Sequence, residues 1–476
     1  MIDTQAIRSK ILDLAMRGKL TEQLPEDGTA EELYRQIQAE KQALIKAGKI
    51  KKEKPLPEIA DGEVPFEIPK NWKLCRFGTV ITLVSGTDYA PEEYNDEGRG
   101  VPYITGASNL LSEGVLINRW TEKPRCMANF GDVLLVCKGS GYGKVAMCDI
   151  GEAHIARQIM AVKKTSFLEM RFLLYFLMAK FNYLKDKGQG LIPGVDRKSV
   201  LNMLFLLPPL AEQHRIVAKI EQAFSALDTI DALQAKYADN LAVLKSKLID
   251  AAIQGKLTEQ LPEDGTAEEL YRQIQTEKQA LVKSGKIKKE KPLPEIKADE
   301  IPFTIPNSWV WSRWGNLSFQ IQYGYNAPAK DKGRIRMVRI TDIQDNKVVW
   351  NTVPYCDIDE DSIPEYRLHP NNILFARTGG TVGKSFLVEE VEEEAVFAGY
   401  LIRTSFSSNI NAQYMKYCMA SRLYWKQLQV GTTATAQPNC NAKALSKMIV
   451  PFPPLAEQTR IVAKLEELLS LCERVG

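Results

Sequence analysis

Apolar residues recur every three or four positions through a long stretch in the middle of the chain. Between Leu210 and Gln254 there is neither proline nor glycine, whereas Pro208 and Pro209 precede this stretch and Gly255 follows it. The spacing places the apolar side chains on one stripe of a helix, and a glycine just past the last helical residue is typical of a helix C-terminus. Such a helix would be roughly 65–70 Å long, which predicts a coiled-coil-like spacer that packs against a partner. The apolar positions are Ile216, Ile220, Phe224, Leu227, Leu233, Tyr237, Leu241, Leu244 and Leu248.

Two blocks of the chain occur twice. Residues 18–59 return as residues 255–296 with only three differences, and PPLAEQHRIVAK at 208–219 returns as PPLAEQTRIVAK at 453–464. Because the period is about half the chain, it indicates an internal duplication and not a solenoid. The predicted segments are constant helical regions at 1–59, 208–296 and 453–476 and variable domains at 60–207 and 297–452.

The two ends of the chain predict the partner of the central helix. Residues 455–475 copy the first half of that helix, and RSKILDLAMRGKL at 8–20 resembles KSKLIDAAIQGKL at 245–257. If the two ends meet, they form a second, broken copy of the helix that packs antiparallel to the first. Alternatively, the terminal helices only cap the neighbouring domains.

Each copy of the first block predicts a further helix followed by a basic segment. Thr29 with Glu32, and Thr266 with Glu269, have the spacing of a capping box. We interpret the lysines that follow as a solvated helix end leading into a stiff linker; the alternative is contact with phosphate groups. In the first copy these lysines are Lys49, Lys51, Lys52 and Lys54.

The two variable stretches predict mixed α/β domains built on one plan. One begins with IPKNW at 68–72 and the other with IPNSW at 305–309, and each has one predicted helix near its end, Leu168–Lys187 or Ala412–Val430. Short β-branched and aromatic runs separated by Gly, Asn and Asp predict strands. We therefore expect a mixed α/β fold with two pseudo-symmetric α/β domains separated by long antiparallel, coiled-coil-like helices. The predicted strands include Val80–Val84, Val133–Cys137, Ile373–Ala376 and Val396–Ile402.

Composition and charge narrow the class of protein. A chain of 476 residues with 45% hydrophobic and 25% charged residues is typical of a soluble protein with several domains. No apolar run of about 18 residues is present and the N-terminus lacks the features of a signal peptide, so we expect a cytoplasmic protein without a membrane span. The eight scattered cysteines fit reduced thiols. The formal charge of +3 neither requires nor excludes a nucleic-acid partner.

Sequence motifs of catalysis and metal binding are absent. The three histidines, His154, His214 and His369, lie far apart in the sequence and near no cysteine cluster. Neither HExxH, GxSxG nor a strand-linked GxGxxG occurs. We therefore predict no catalytic residue and no metal site, and the pattern favours a binding protein over an enzyme.

Glycine-rich polar loops occupy equivalent places in the two variable domains. KGSGYGK at 138–144 corresponds to ARTGGTVGK at 376–384, and two further pairs of polar loops accompany them. Glycine lets a backbone approach a ligand closely, and basic, hydroxyl and amide side chains contact phosphates and base edges. One such loop is more often an ordinary hairpin turn, but two in equivalent places with different side chains favour a binding role. The predicted contact residues are Thr87, Tyr89, Lys138, Ser140, Tyr142, Lys144, Gln189, Arg197, Lys198, Tyr325, Arg336, Arg339, Arg377, Thr378, Thr381, Lys384, Gln437, Asn439 and Lys443.

The duplicated layout resembles a known family over essentially the whole chain. Two variable domains that open with IPxxW and close into PPLAEQxRIVAK, with GKL and a charged helix in duplicate, look like the specificity subunit of a type I DNA restriction–modification system. The resemblance implies that each variable domain is a target-recognition domain for one half of a bipartite, asymmetric site in double-stranded DNA. One departure is that the last helix stops at Gly476, well short of the full repeat length.

The same resemblance implies the partners and cofactors of the complex. The helical frame would dock two methyltransferase subunits, and translocase/nuclease subunits would join them. Adenine N6 methylation would use S-adenosylmethionine in the methyltransferase, and translocation would use ATP and Mg²⁺, so the chain itself would bind no cofactor and would not be an enzyme by itself. A rigid helical frame would fix the separation of the half-sites, on the order of one helical turn or 34–36 Å.

Two other functions stay open from the sequence. One is an interaction scaffold whose two domains bind protein or another ligand without DNA readout. The other is a stand-alone enzyme, which the missing motifs make the weaker alternative.

Overall fold

The chain folds into two compact units, Met1–Gln234 and Ala235–Gly476. The structure, a computed structural model, describes residues 1–60, 62–63, 66–111, 114–139, 141–186, 194–344, 347–431 and 440–475. Both units combine helices with small sheets, as the sequence predicts.

The helices of the first unit belong to the constant blocks and to the two ends of the variable domain. Gly255, which follows the long central helix, has a φ of +69°, and the Lys256 amide donates to the Ala251 carbonyl over 3.0 Å. This glycine C-cap confirms the predicted helix end. The helices are α1 (Thr4–Met16), α2 (Ala30–Lys46), α3 (Phe77–Val80), α4 (Met170–Asp186), α5 (Arg197–Leu201) and α6 (Leu210–Ile253), which continues into the second unit.

The strands of the first unit form two main sheets and two short ribbons. They are β1 (Lys73–Arg76), β2 (Leu83–Ser85), β3 (Val101–Ile104), β4 (Leu110–Leu111), β5 (Gly114–Val115), β6 (Trp120–Thr121), β7 (Met127–Asn129), β8 (Val133–Val136), β9 (Val145–Met147), β10 (Glu152–Ile155), β11 (Ile159–Val162) and β12 (Leu204–Leu207). The larger core lies under the antiparallel sheet β2-β11-β8-β9. The second sheet has the order β6-β3-β10-β7, β1 pairs with β12, and β4 pairs with β5.

The second unit largely repeats this order of elements, with α9 where the first unit has β7 and with α10 and α11 where it has α4. Its helices are α7 (Ala267–Lys283), α8 (Trp314–Leu317), α9 (Ile363–Tyr366), α10 (Ala412–Cys418), α11 (Arg422–Gly431), α12 (Ala442–Lys447) and α13 (Leu455–Val475). Its strands are β13 (Val310–Arg313), β14 (Ser318–Tyr323), β15 (Ile335–Val338), β16 (Ile343–Gln344), β17 (Lys347–Val348), β18 (Tyr355–Cys356), β19 (Ile373–Ala376), β20 (Ser385–Leu387), β21 (Ala395–Phe397), β22 (Leu401–Phe406) and β23 (Ile449–Phe452). The sheets are β14-β22-β19-β20 and β18-β15-β21, with pairs β13-β23 and β16-β17.

Within each unit a terminal helix runs antiparallel to α6. In the first unit Thr4 Oγ1 donates to Asp231 over 2.6 Å, and one turn further along α1 the Arg8 guanidinium pairs with Asp228 at 2.8 Å. In the second unit Lys245 pairs with Glu473 near the end of α13 at 3.1 Å. The predicted antiparallel helices are confirmed within each unit.

Four local predictions are wrong. The run Val396–Ile402 is not one strand, because the chain turns at 398–400, where the Leu401 amide donates to the Ala398 carbonyl over 2.9 Å, and so passes from β21 to β22 in another sheet. The predicted helix Ala412–Val430 is interrupted, because the Ser421 hydroxyl accepts from the Tyr424 amide and caps α11. The run Val80–Val84 holds the last residue of α3 and the first two residues of β2. The capping box is present at Thr266, whereas the Thr29 side chain makes no capping bond.

A fully buried carboxylate ties the first unit together. Glu212, in the first turn of α6, accepts hydrogen bonds from Thr21 Oγ1 at 3.2 Å, Gln23 Nε2 at 3.0 Å, Asn71 Nδ2 at 3.3 Å and Trp72 Nε1 at 2.8 Å. A buried carboxylate is costly unless donors surround it. These donors come from the GKLTEQ and IPxxW segments, so one side chain joins two constant blocks to the start of the variable domain.

The second unit has the same junction. Glu457 is fully buried and accepts from Thr258 Oγ1 at 3.1 Å, Gln260 Nε2 at 2.8 Å and Trp309 Nε1 at 2.7 Å. Ser308 stands where the first unit has Asn71, and its hydroxyl has no partner within the described residues. The two junctions therefore share three of their donors.

Two neighbours of Glu212 in the PPLAEQxRIVAK motif make further contacts, one with the variable domain and one with the loop before α2. Gln213 accepts from the Glu169 amide, just before α4, at 3.0 Å, and donates to the Pro208 carbonyl at 2.9 Å. Arg215 donates two hydrogen bonds of 2.6 Å to Asp27, which lowers the pKa of that carboxyl. The equivalent side chains in the second unit are Gln458 and Arg460.

The junction predicts a measurable coupling between Trp309 and Glu457. In a double-mutant cycle, Trp309→Phe and Glu457→Gln should show a coupling of about 1.5–3 kcal/mol in the free energy of unfolding, because each removes one side of a hydrogen bond to a charged group. Urea unfolding followed by circular dichroism measures it. Trp311 packs against Phe303, with ring centroids 5.0 Å apart, so Trp311→Phe should be additive with Glu457→Gln within about 0.5 kcal/mol. If Trp309→Phe were also additive with Glu457→Gln, the hydrogen bond between Trp309 and Glu457 would not contribute to stability.

Candidate nucleic-acid interface

Three loops of the first unit meet at one edge of its main sheet. Ser85, which ends β2, pairs with Met160 near the start of β11. Val136, which ends β8, pairs with Ile159, which starts β11, and β9 begins at Val145 on the same side. Residues 86–88, 137–139, 141–144 and 156–158 therefore lie together at this edge.

The start of α5 joins the same edge. The Val195 amide donates to the Cys137 carbonyl over 2.9 Å, and Arg197 Nη1 donates to the Leu83 carbonyl over 2.7 Å. Lys198 follows with an exposed side chain. We call the described residues of these segments, 86–88, 137–139, 141–144, 156–158 and 194–198, the first polar edge.

The second unit builds an equivalent edge. Tyr323, which ends β14, pairs with Ile402 near the start of β22, and Ala376, which ends β19, pairs with Leu401. The Cys440 amide donates to the Arg377 carbonyl over 3.0 Å. We call the segments 324–326, 377–384, 398–400 and 440–443 the second polar edge.

Matching backbone contacts hold the two edges in the same shape. A Cβ on Gly86 would collide with the Ala156 carbonyl oxygen, and a Cβ on Gly324 with that of Ala398. Only glycine fits where the first loop crosses the turn between the two sheets.

The hydrogen-bond pattern identifies equivalent positions with different side chains. The amides of Thr87 and Tyr325 donate to the carbonyls of Ile155 and Phe397, at 3.0 and 2.8 Å. The amides of Cys137 and Arg377 donate to the carbonyls of Gln158 and Tyr400, at 2.8 and 3.2 Å. The scaffold is thus constant, whereas the side chains on it change from Thr, Cys and Gln to Tyr, Arg and Tyr.

Most predicted contact residues of the first unit lie at the first polar edge. Thr87, Lys138, Lys144 and Lys198 are exposed there, and the partly buried Tyr142 packs edge-on against Phe181. Ser140 and Gln189 lie outside the described residues.

Two predicted residues of the first unit are committed to internal contacts. Tyr89 is buried, and its hydroxyl donates to the Lys123 carbonyl. Arg197 pairs with Glu53 and holds β2 to α5. Tyr89 and Arg197 therefore stabilise the first polar edge, and their polar groups are already occupied by contacts within the chain.

In the second unit the predicted residues divide between the edge and the rest of the domain. Thr378 and Thr381 are partly buried at the second polar edge, and Lys384 and Lys443 are exposed there. Arg377 also lies there, 4.7 Å above the Tyr323 ring. The partly buried Tyr325 packs against Tyr366, with ring centroids 5.2 Å apart, and Gln437 and Asn439 lie outside the described residues.

Arg336 and Arg339 are held by acidic partners. Arg336 Nε pairs with Glu393 at 3.0 Å, in an acidic segment that follows β20 at the end opposite the polar edge. Arg339 follows β15 beside the turn 398–400, but Asp342 holds its guanidinium at 2.8 Å. The structure therefore does not bring Arg336 to the second polar edge, and it places Arg339 at the margin.

The turn between the two sheets carries residues that the sequence pattern did not indicate. Gln158 and Arg157 are exposed, and Arg157 pairs with Asp88 at 3.2 Å. Tyr400, in the equivalent turn, is 42% exposed. The turn at 398–400 was missed because β-branched and aromatic residues on either side of it predict one continuous strand. Gly399 was the only local residue in that run that indicated a turn.

A buried histidine positions the first loop of the first polar edge. His154 Nδ1 accepts from the Arg125 and Cys126 amides at 3.3 and 3.2 Å, so Nε2 carries the proton and donates to the Thr87 carbonyl at 2.9 Å. Burial lowers the pKa of His154, which favours this neutral form. The imidazole thus has a positioning role.

The described ranges contain no group of three or more His, Cys, Asp or Glu side chains placed to hold a metal ion.

Among the helices of the described residues, none is both long enough and apolar enough to cross a membrane.

Comparison with known proteins connects this architecture to one family. The family model of the type I restriction modification DNA specificity domain matches residues 69–236 and 324–474, one match in each half of the chain. The EcoEI specificity subunit of Escherichia coli is 28% identical over 546 residues, covering 98% of this chain and 89% of its own. The EcoAI specificity subunit of the same species is 27% identical with the same coverage.

A more distant relative and a solved structure show the same similarity. The MjaVIII specificity subunit of Methanocaldococcus jannaschii is 24% identical, covering 86% of this chain and 88% of its own. A solved chain of a type I R-M system, 18% identical, shares the fold with a TM-score of 0.60 over 86% of this chain and 93% of its own. With two matched domains on a repeated helical frame, the chain belongs to the family of type I restriction–modification specificity subunits.

Proposed function

We propose that this chain is the sequence-specific DNA-binding subunit of a type I restriction–modification complex. Each polar edge contacts one half of a bipartite, asymmetric site in double-stranded DNA. Residues 60–207 and 297–452 act as the two target-recognition domains, and residues 1–59, 208–296 and 453–476 form the frame. The observation that carries this proposal is the pair of edges with one backbone scaffold and different side chains.

The side chains at the edges suit DNA recognition. Lys138 and Lys384 present exposed ammonium groups that can bind phosphate or guanine, and the exposed Lys144 ammonium donates to the Ala107 carbonyl at 3.2 Å with donors to spare. Gln158 presents an amide, the group that pairs with adenine in the major groove. At the second polar edge, Tyr400 and Arg377 offer an aromatic face and a guanidinium.

The charge distribution of the second unit also favours an approach of DNA to the second polar edge. Lys384 and Lys443 are exposed at the second polar edge, whereas the acidic segment 389–394 lies past the far end of β20. DNA repels a carboxylate-rich surface and attracts lysine. The duplex would therefore approach the polar edge and avoid the opposite end.

The frame would dock the other subunits of the complex. Two methyltransferase subunits would bind the helical regions and methylate adenine N6 with their own S-adenosylmethionine, and translocase/nuclease subunits would supply the ATP- and Mg²⁺-dependent step. The chain would then act as a non-catalytic subunit that positions its partners on DNA.

Gel-shift assays with the purified chain, alone and with its methyltransferase partner, test the proposal. Binding to a site mapped from methylated genomic DNA, but weakly to a scrambled duplex, is the expected result. Failure to bind any duplex in either assembly would favour a protein-interaction scaffold, and methylation by the chain alone would make it an enzyme.

Exchange of one domain should change one half of the site. Replacing residues 60–207 with the corresponding domain of another family member should alter only one half-site, because the variable residues lie at the polar edges and the junction residues are repeated. Methylome mapping of cells that carry the chimera measures both halves. A change in both half-sites would refute separate recognition.

Single substitutions at the first polar edge should separate positioning from base recognition. Lys138→Ala should weaken binding to specific and scrambled duplexes alike and make the salt slope shallower by about 0.9 if Lys138 contacts one phosphate. Gln158→Ala should cost about 1–3 kcal/mol on the specific site only and relax one base position.

Lys164→Ala is the control for both substitutions. Lys164 is exposed just past the end of β11 that is opposite the polar edge, so its removal should leave affinity and specificity unchanged. If Lys138→Ala and Gln158→Ala behave like this control, the loops are ordinary turns.

A further inference from the structure

Each unit carries an extended lysine-rich segment between a constant helix, α2 or α7, and its variable domain. We call residues 49–58 the first lysine strap and residues 286–295 the second. All eight lysine side chains are exposed, and none has an ion pair or hydrogen bond within the described parts of the chain. They are Lys49, Lys51, Lys52, Lys54, Lys286, Lys288, Lys289 and Lys291.

An arginine fixes each strap to its variable domain. Arg76 donates to the carbonyls of Pro57 and Glu58 at 3.2 and 3.0 Å. Arg313 donates to the carbonyls of Pro294 and Glu295 at 3.1 and 2.9 Å. The straps are thus held against folded domains, which lowers the entropy that a ligand would have to remove on binding.

The first strap adjoins the first polar edge. Glu53, within the strap, pairs with Arg197, and Arg197 donates to the Leu83 carbonyl at 2.7 Å. The pairing also occupies Glu53, the acidic residue that lies among the lysines of the strap. Lys52, Lys54 and Lys198 are the lysines adjacent in sequence to this ion pair.

The second strap adjoins the corresponding helix of the second unit. Leu293 lies against α8 beside Ser446 of α12, since a Cβ on Gly315 would be 3.0 Å from Leu293 Cδ1 and 2.8 Å from Ser446 Cβ. The helix α12 carries Lys443 at the second polar edge, and Glu290 is again occupied, by Lys278 at 3.4 Å. Both units therefore place unpaired lysines next to the helix that completes the polar edge.

We propose that the two lysine straps bind the phosphate backbone of double-stranded DNA beside each half-site, without regard to base sequence. This proposal rests on the proposed function. Lysine is a point charge on a flexible stem, suited to phosphate contact and poorly suited to fixed base geometry. An acidic surface of a methyltransferase subunit would attract the same lysines, but the adjacency to both polar edges favours DNA.

Neutralising two lysines of the first strap tests the proposal. Lys51→Gln/Lys52→Gln should make the salt slope of DNA binding shallower by about 0.9 for each phosphate that the strap no longer neutralises. Affinity should fall by the same factor for the mapped site and for a scrambled duplex, and the methylated sequence should not change. The assay uses the full chain in complex with its methyltransferase, titrated with both duplexes at roughly 50 to 200 mM salt.

Lys70→Gln/Lys164→Gln is the control of equal charge. Both lysines are exposed, and neither belongs to a strap or a polar edge, so this variant should keep the slope of the unmodified complex. Equal slopes for the strap variant, the control and the unmodified complex would overturn the proposal while leaving specific binding intact.

Two other outcomes also overturn it. If the strap variant loses its methyltransferase on gel filtration while the remaining complex keeps its slope, the straps bind protein. If the unmodified complex binds neither duplex, the proposed function fails and the strap proposal fails with it.

Discussion

A buried glutamate at the start of each frame helix is the constraint on which the rest of the structure depends. Glu212 and Glu457 are fully buried, and a carboxylate in that position is tolerated only if every donor around it is in place. The donors come from the GKLTEQ segment and from the tryptophan of IPxxW. GKLTEQ, IPxxW and the start of the frame helix must therefore stay in contact, whatever the sequence of the segments that connect them.

This constraint explains why some blocks repeat almost verbatim and others do not. Gln213 and Gln458 bind the backbone just before α4 and α10, so the frame contacts main-chain atoms there. Backbone contacts do not depend on side-chain identity. The polar edges follow the same rule, since backbone hydrogen bonds and the glycines at 86 and 324 fix the loops. A domain of this kind can exchange its exposed side chains while it keeps its shape.

The sequence predicted the frame well because repetition and helical periodicity are local signals. It failed where a contact distant in sequence decides the outcome. Nothing local indicates that Val396–Ile402 serves two sheets, or that Ser421 caps a second helix. The sequence likewise does not show which charged side chains form ion pairs, so Arg336 was predicted as a ligand contact although it pairs with Glu393. The loop pairs, in contrast, were found because they occur twice, and the structure brings them to equivalent edges.

The central claim is that each polar edge contacts a different half of one DNA site. Gln158 and Tyr400 lie in equivalent turns of the two edges, so a photo-crosslinking residue in place of either one reports on its own edge. In the complex with methyltransferase and the mapped duplex, the crosslinked nucleotides can be identified by sequencing. We expect position 158 to crosslink to one half-site and position 400 to the other. Crosslinks from both positions to the same half-site, or to neither, would contradict the account.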